Sequence, residues 1–178
     1  MMSGVKMNIF ISEDDKDEGR KLRCILSGHP IYKVFVIKAT TLVTKGGQVL
    51  NLGLLLKRIS KIFAVAGIGA SLQGHKYLCE AITRIIANPE LGTCITKLYP
   101  VIAVYFSVSS SQVERAIRHA IENGWSSGRA DQINNIFDAE IFNQHDRPTN
   151  SGFIALVVNL INQEAMLGNF SPLSAENI

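Results

Sequence analysis

The sequence lacks the patterns that would identify it at once as a membrane protein or a secreted protein. No apolar run approaches the ~20 residues that a helix needs to cross a bilayer. The short apolar run at 7–12 leads directly into Glu13, Asp14 and Asp15, which is not the pattern of a signal peptide. We therefore expect a cytoplasmic protein that does not engage a membrane.

Cysteine is scarce as well. The chain has three, Cys24, Cys79 and Cys94, which are odd in number and far apart. There is no CxxC pair and no cysteine–histidine cluster at zinc spacing, so nothing in the sequence indicates a disulfide framework or a structural metal. We expect reduced, mostly buried thiols and no cofactor.

The net charge of +3 is small for 178 residues, and it is unevenly divided. Residues 1–74 contain 11 Lys and Arg against 5 Asp and Glu, whereas residues 75–178 contain 7 against 10. Because the second part is not basic overall, nucleic-acid binding there has to come from the local placement of a few cations. The hydrophobic share of 47% excludes a disordered chain.

Two parts of the chain differ in their patterning. Residues 7–38 indicate strand, helix and strand, and the polar stretch Thr40–Gln48 with its Gly46-Gly47 pair is typical of a linker or turn. From Leu50 onward, apolar residues recur at helical spacing. We predict a mainly α fold, with a strand–helix–strand unit at 1–45, a helical domain at 50–168 and a flexible tail at 169–178. The predicted helices are Glu13–Ser27, Leu50–Ala64, His75–Ala87, Thr93–Phe106, Ser109–Ser127, Asp131–Phe137 and Thr149–Met166.

The clearest helix follows a short turn after Phe106. Ser109 and Gln112 form an S-x-x-Q capping box, and one face of the helix beyond it is apolar. The opposite face carries Ser111, Arg115, Arg118, His119 and Glu122. Two helices joined by a tight turn, the second bearing arginines near its start, are typical of a helix-turn-helix, whose second helix enters the major groove of DNA. The alternative is a solvated surface helix whose charges only pair with one another.

A family resemblance carries the interpretation further. The runs VERAIRHAIENGWSSGR and RPTNSGFIALVVNLI resemble the C-terminal effector domain of the stage zero sporulation protein A family, response regulators that control entry into sporulation. The run GHKYLCEAITRIIANPELGTCITKLYP is similar to the first helices of that domain, so the resemblance covers Leu52 to Met166. It implies an all-helical domain with a central helix-turn-helix, sequence-specific DNA binding and transcriptional control.

The resemblance also implies which residues meet DNA. Glu114, Arg115, Arg118 and His119 match family residues on the DNA-reading helix, and Lys97 matches a lysine near the start of the preceding helix. We add Ser111 and Gln112 as candidates because they occupy the same exposed helix start. The chain departs from the family at three places. Gln112 replaces a base-reading arginine, Val104 and Tyr105 replace a lysine pair, and Gly152 replaces a glutamate that would complete a capping box with Thr149.

The first residues resemble part of a second domain. The run IFISEDDKDEGRKLRCIL is similar to the first strand and helix of a receiver domain, with Glu13 and Asp14 where the acidic pair of a receiver holds Mg²⁺. Receiver chemistry also needs an acceptor aspartate on a third strand, and the chain passes into the helical domain before such a strand. We expect a truncated receiver-like remnant, a vestigial metal pair, and no Mg²⁺-dependent phosphorylation.

We therefore expect a DNA-binding regulator whose partners are double-stranded DNA and also RNA polymerase or a second copy on tandem sites. The rival hypothesis is a protein-interaction module that keeps the fold without the DNA contacts. We expect no enzyme, because no histidine has a neighbouring nucleophile or orienting group that would form a catalytic set. The histidines are His29, His75, His119 and His145.

Overall fold

The computed structural model describes residues 7–12, 32–37, 41–126, 130–137 and 147–170. Within these ranges the chain forms four short strands, six α-helices and one 3-10 helix. The predicted mainly α fold class is confirmed. The predicted helix at Glu13–Ser27, with Glu13 and Asp14, lies outside the described residues.

The first two strands pair in parallel. Strand β1 (Met7–Ser12) runs beside β2 (Tyr32–Ile37), in register from Met7 opposite Tyr32 to Ser12 opposite Ile37. Parallel neighbours need a crossover connection rather than a tight turn. Two strands separated by a connecting segment, as the sequence predicts, are consistent with this parallel pairing.

The predicted linker at Thr40–Gln48 is wrong in part, because residues on both sides of its glycines form a β-hairpin. Strand β3 (Thr41–Val43) pairs antiparallel with β4 (Val49–Asn51). Gly47 has a φ of 78° and donates its N–H to the Thr44 carbonyl at 2.8 Å, which closes the turn. Strands of three residues are too short to show alternation, so the pattern did not reveal them. The proposed boundary at 45–50 falls inside this hairpin.

The helices follow in the predicted order, with ends shifted by at most two residues. Pro100 lies inside α3 (Ile95–Phe106) and is exposed. The Asn88-Pro89 step follows the end of α2 (Gln73–Ala87) and leads into a 3-10 helix at Pro89–Thr93. The six α-helices are α1 (Leu52–Val65), α2 (Gln73–Ala87), α3 (Ile95–Phe106), α4 (Ser110–Trp125), α5 (Ala130–Phe137) and α6 (Asn150–Met166).

One hydrophobic core joins these helices. The apolar faces of α4 and α6 are buried in this core, whereas Trp125 and Phe137 are half-buried and pack against it. The core also takes in residues from α1, α2 and α3, including Phe63, Leu78 and Ile102. Its members on α4 and α6 include Val113, Ile117, Ile121, Phe153, Ile154 and Val157.

The chain remains packed beyond the predicted domain end at residue 168. Phe170 is only 3% exposed, and its carbonyl accepts a hydrogen bond from the Asn51 N–H at 2.7 Å. The prediction of a tail from residue 169 is therefore wrong for Phe170, whose single aromatic side chain has no periodic neighbours to mark it as core. Residues 171–178 lie outside the described range.

Two of the three cysteines lie in the described residues, and both are free thiols. Cys79 and Cys94 are each partly buried, less than the burial expected from the sequence. Burial raises the pKa of the Cys79 thiol to about 11, so this thiol stays protonated at neutral pH. Cys24 lies outside the described residues.

A close approach between two helices occurs at Gly74, near the start of α2. A Cβ atom at this position would lie 2.0 Å from the Ala116 carbonyl oxygen and 2.6 Å from the Ala120 Cβ, both on α4. Both separations are far below van der Waals contact, so only glycine lets α2 and α4 meet at this distance. The position of α4 in the fold thus depends on the absence of one side chain.

We expect Gly74→Ala to destabilise the domain by about 3 kcal/mol or more, because the added methyl group must displace backbone rather than a flexible side chain. Thermal unfolding followed by circular dichroism measures the loss. The matched control is Gly69→Ala, whose Cβ would meet no atom closer than 3.8 Å and which should change stability by less than about 0.5 kcal/mol. Equal melting temperatures for the two variants would contradict the assigned role of Gly74.

Candidate nucleic-acid interface

The turn between α3 and α4 is closed by backbone hydrogen bonds. Ser107 adopts a left-handed conformation with φ 55°, and the Val108 N–H donates to the Ala103 carbonyl at 2.9 Å. The Ser107 N–H donates to the Val104 carbonyl at 3.3 Å, which completes a Schellman-type helix end. The turn therefore fixes the angle at which α4 leaves α3, and the two helices form the predicted helix-turn-helix.

The predicted capping box at the start of α4 is confirmed. The Gln112 N–H donates to the Ser109 Oγ at 3.2 Å, and the Ser109 N–H donates to the Gln112 Oε1 at 2.8 Å. The Ser109 hydroxyl lies 3.0 Å from the same Oε1 atom and 3.1 Å from the Ser111 hydroxyl. The Gln112 carbonyl oxygen and the Ser111 hydroxyl thus both contribute to the helix start, whereas the Gln112 Nε2 amide has no partner among the described residues.

Helix α4 has one buried face and one outward face. The buried face packs on α2, α3 and α6. The outward face, called the recognition face below, is exposed except at Glu114, which is half-buried. It consists of Ser111, Gln112, Glu114, Arg115, Arg118 and His119.

The arginines of the recognition face are held by their own helix. The Arg118 guanidinium donates to the Glu114 carboxylate at 2.6 Å, with 52% and 42% of the two side chains exposed. The Arg115 Nε donates to the Ser111 carbonyl at 3.3 Å, a long contact. Exposed i,i+4 ion pairs contribute only about 0.3–0.5 kcal/mol, so either guanidinium can be redirected to a stronger acceptor at little cost.

Lys97 lies on a different helix from the other candidates. It is exposed on the first turn of α3, which faces the recognition face across a cavity of about 450 Å³. Cys94, Thr96 and Tyr99 line the α3 side of this cavity, and Glu114 and Arg118 line the α4 side. Lys97 itself is not among the lining residues.

Two residues at the start of α6 contact α4 and were missed by the sequence reasoning. The Asn150 side-chain amide donates to the Tyr99 hydroxyl and to the Glu114 carbonyl, both at 3.2 Å. Arg147 forms an ion pair with Glu122. These contacts join positions 25 to 51 residues apart, so no local spacing could have indicated them. Burial raises the pKa of the Tyr99 hydroxyl, which keeps it protonated at neutral pH.

The two apolar replacements before the turn are prominent on the surface. Val104 is 82% exposed and Tyr105 is 63% exposed. The Tyr105 ring packs edge-on against Phe106, and the Arg84 guanidinium lies 5.4 Å from the ring centroid. This end of α3 therefore presents an apolar and aromatic surface where a lysine pair would have presented two cations.

Residues 59–161, more than half of the chain, match the family described as "Sporulation initiation factor Spo0A C terminal". The chain belongs to this family. The Spo0A C-terminal family comprises DNA-binding effector domains of sporulation initiation, so the resemblance inferred from the sequence is confirmed for this part of the chain. It is a family of transcription regulators and not a known enzyme family. None of the helices in the described ranges has the length and apolar character that a bilayer crossing requires.

The cap of α6 is incomplete at Gly152 in this member of the Spo0A C-terminal family. The Gly152 N–H donates to the Thr149 Oγ1 at 3.1 Å, which is half of a capping box. A Cβ at position 152 would lie 3.2 Å from the same oxygen, a tight contact with a side chain that can rotate. The missing half is a carboxylate that accepts from the Thr149 N–H.

We expect Gly152→Glu to stabilise the domain by about 1 kcal/mol, because it adds the second capping bond, removes a helical glycine and places an acid at a helix N-terminus. Urea unfolding measures the change. The control Gly152→Ala has the same Cβ without the carboxylate, so the difference between the two variants isolates the cap. A Glu variant no more stable than the Ala variant would show that the cap contributes nothing.

Proposed function

We propose that this chain is a sequence-specific, double-stranded-DNA-binding regulator of transcription at sporulation initiation, and that it acts without phosphorylation input from a receiver domain. The observation that carries the proposal is the two-sided character of α4. Its apolar face is fixed in the core, and its recognition face turns Arg115, Arg118 and His119 to solvent. Family membership supports the DNA-binding part of the proposal.

The chemistry of the recognition face suits the major groove of DNA. An arginine can donate two hydrogen bonds to guanine, and a carboxylate such as Glu114 can accept from cytosine. The Arg118–Glu114 pair places a hydrogen-bond donor beside an acceptor. This arrangement suits two neighbouring bases of which one presents acceptors in the groove and the other presents a donor. Lys97, exposed on α3, provides a cation for a backbone phosphate.

Gln112 can serve only part of the role of the arginine it replaces. A glutamine recognises adenine through two bonds, with its oxygen accepting and its nitrogen donating. In the capping box the Oε1 atom already accepts from the Ser109 N–H, so only the Nε2 amide is left to donate. We infer that Gln112 provides a single donor to the groove and discriminates less between bases than an arginine would.

The absence of phosphorylation input is inferred from the sequence. The segment preceding the hairpin carries an acidic pair, Glu13 and Asp14, and its resemblance to a receiver domain extends only to the first strand and helix of such a domain. We infer that the effector domain binds DNA in a constitutive manner. Gel-shift titration of the whole chain, with and without a small-molecule phosphoryl donor and Mg²⁺, tests this point, and a donor-dependent gain in affinity would refute it.

A second candidate function is favoured by the exposed side chains of Val104 and Tyr105. An apolar and aromatic surface beside the helix-turn-helix suits a protein partner better than a phosphate backbone. On this alternative the chain modulates full-length regulators or contacts RNA polymerase, and it binds specific and scrambled duplexes equally. A second copy on tandem DNA sites is a partner compatible with both candidates.

We expect Arg115→Ala to weaken binding to a duplex carrying the binding box of the family by about 1–3 kcal/mol and to relax specificity at one base pair. Gel-shift titration against this duplex and a scrambled one measures both effects. Lys57→Ala removes an exposed cation from α1 and serves as the control. If wild type and Arg115→Ala bind both duplexes alike, the chain is not a sequence-specific reader and the interaction module is the better account.

We expect Gln112→Arg to strengthen binding to the family box by about 1–2 kcal/mol, because a two-bond guanine contact replaces a single donor. The substitution also removes the side-chain half of the capping box, at a cost of about 0.5–1 kcal/mol in stability. The same titration measures affinity, and thermal unfolding measures stability. Gln112→Ala loses the side-chain capping bond and gains no base-contacting group. Comparison with this variant therefore separates the effect on DNA affinity from the effect on stability. Equal affinity of the Arg and Ala variants would show that position 112 does not read a base.

A further inference from the structure

The starting observation is that one side chain joins all three helices around the recognition face. Asn150 is the first residue of α6, and its Nδ2 amide donates to the Tyr99 hydroxyl on α3 and to the Glu114 carbonyl on α4. Tyr99 is 7% exposed and Asn150 is half-buried, so water competes weakly for these bonds. A carbonyl can only accept, which fixes the nitrogen of the amide toward Glu114.

The hydrogen bond from Asn150 to Glu114 acts on the backbone of α4 itself. The Glu114 carbonyl belongs to the backbone of the recognition helix, within the segment that carries every candidate reader from Gln112 to His119. The apolar contacts behind α4 are non-directional and tolerate small rotations and shifts of the helix. The hydrogen bond to a backbone carbonyl is directional, because its strength falls steeply once the angle closes below about 120°.

Other contacts of α4 limit different movements. The Gly74 backbone sets how closely α2 approaches α4, and the capping box orders the first turn. Among the described side chains, Asn150 is the one with a bond from outside the helix to the α4 backbone between Gln112 and His119. Rotation of α4 about its axis moves all of its candidate base-contacting side chains together. A bond that restrains this rotation therefore affects the whole recognition face.

We propose that Asn150 is a positioning residue for DNA recognition, holding α4 at the Glu114 carbonyl so that the recognition face meets the bases in one register. The proposal rests on the proposed function, since it concerns how the same helix reads DNA. Asn150 itself contacts no base. Its contribution is to the discrimination between sequences, whereas general attraction to the phosphate backbone depends on cations that it does not touch.

The test measures the ratio of Kd values for scrambled and specific duplexes, at a temperature well below unfolding. A lower folded fraction raises both Kd values by the same factor and leaves the ratio unchanged, so a merely structural role does not move it. We expect Asn150→Ala to lower the ratio about tenfold, the size of a lost base contact, while the Kd for the scrambled duplex stays within about twofold of wild type.

Three further variants sharpen the assignment. Asn150→Asp can accept a hydrogen bond from the Tyr99 hydroxyl but cannot donate to the Glu114 carbonyl, so it should lower the ratio as much as the Ala variant does. An acid in the first helical turn also favours folding. Tyr99→Phe keeps the Glu114 bond and should retain most of the ratio. Asn159→Ala, an exposed asparagine on the same helix, should behave as wild type.

The outcomes separate the two proposals. If wild type discriminates between the duplexes and the Asn150 variants discriminate equally well, the positioning role is refuted while DNA recognition stands. If both Kd values rise by the same factor in the Asn150 variants, Asn150 is only a stabilising residue and the positioning role is again refuted. If wild type itself shows no discrimination, the proposed function fails, and the positioning role fails with it.

Discussion

The contact between α2 and α4 at Gly74 is the constraint on which the rest of the domain depends. Because no Cβ separates the two helices, the Ala116 carbonyl and Ala120 lie directly against the α2 backbone. A similar close approach occurs at Gly124, where a Cβ would lie 2.3 Å from the Ala66 carbonyl. The middle of α4 and its C-terminal end are thus fitted against other backbones, which limits how the helix can lie in the domain.

The start of α4 shows a competition between stability and recognition. A capping box is worth about 1 kcal/mol to the helix, and in this chain it engages the oxygen of Gln112. An arginine at the same position would give up that bond but place its guanidinium in the groove. If Gln112 contacts a base as proposed, the same residue gives the chain a better-ordered helix start and a poorer base contact than an arginine would give.

The sequence predicted what local periodicity and helix-end chemistry determine. Helix α4, its capping box and its apolar face follow from spacings of three and four residues, and the structure shifts the ends of this helix by only one or two residues. The β3–β4 hairpin escaped prediction because its strands have three residues each, and Phe170 because it stands alone. The contacts of Asn150 and Arg147 with α4 depend on how distant helices pack, which no pattern within one helix encodes.

The charges around the recognition face favour sequence-specific over non-specific binding in the proposed contact with DNA. Arg118 is paired with Glu114, and Arg147 with Glu122, so these four groups nearly cancel in the free protein. A surface that is close to neutral attracts DNA weakly from a distance, because non-specific affinity grows with the number of phosphates that cations neutralise. Each pair is exposed enough to cost less than about 1 kcal/mol to open, whereas a two-bond contact from arginine to guanine returns about 1–3 kcal/mol. On the proposed function, opening the pairs is favourable only where the bases offer the matching pattern, and this difference makes a nearly neutral α4 more selective than a basic one.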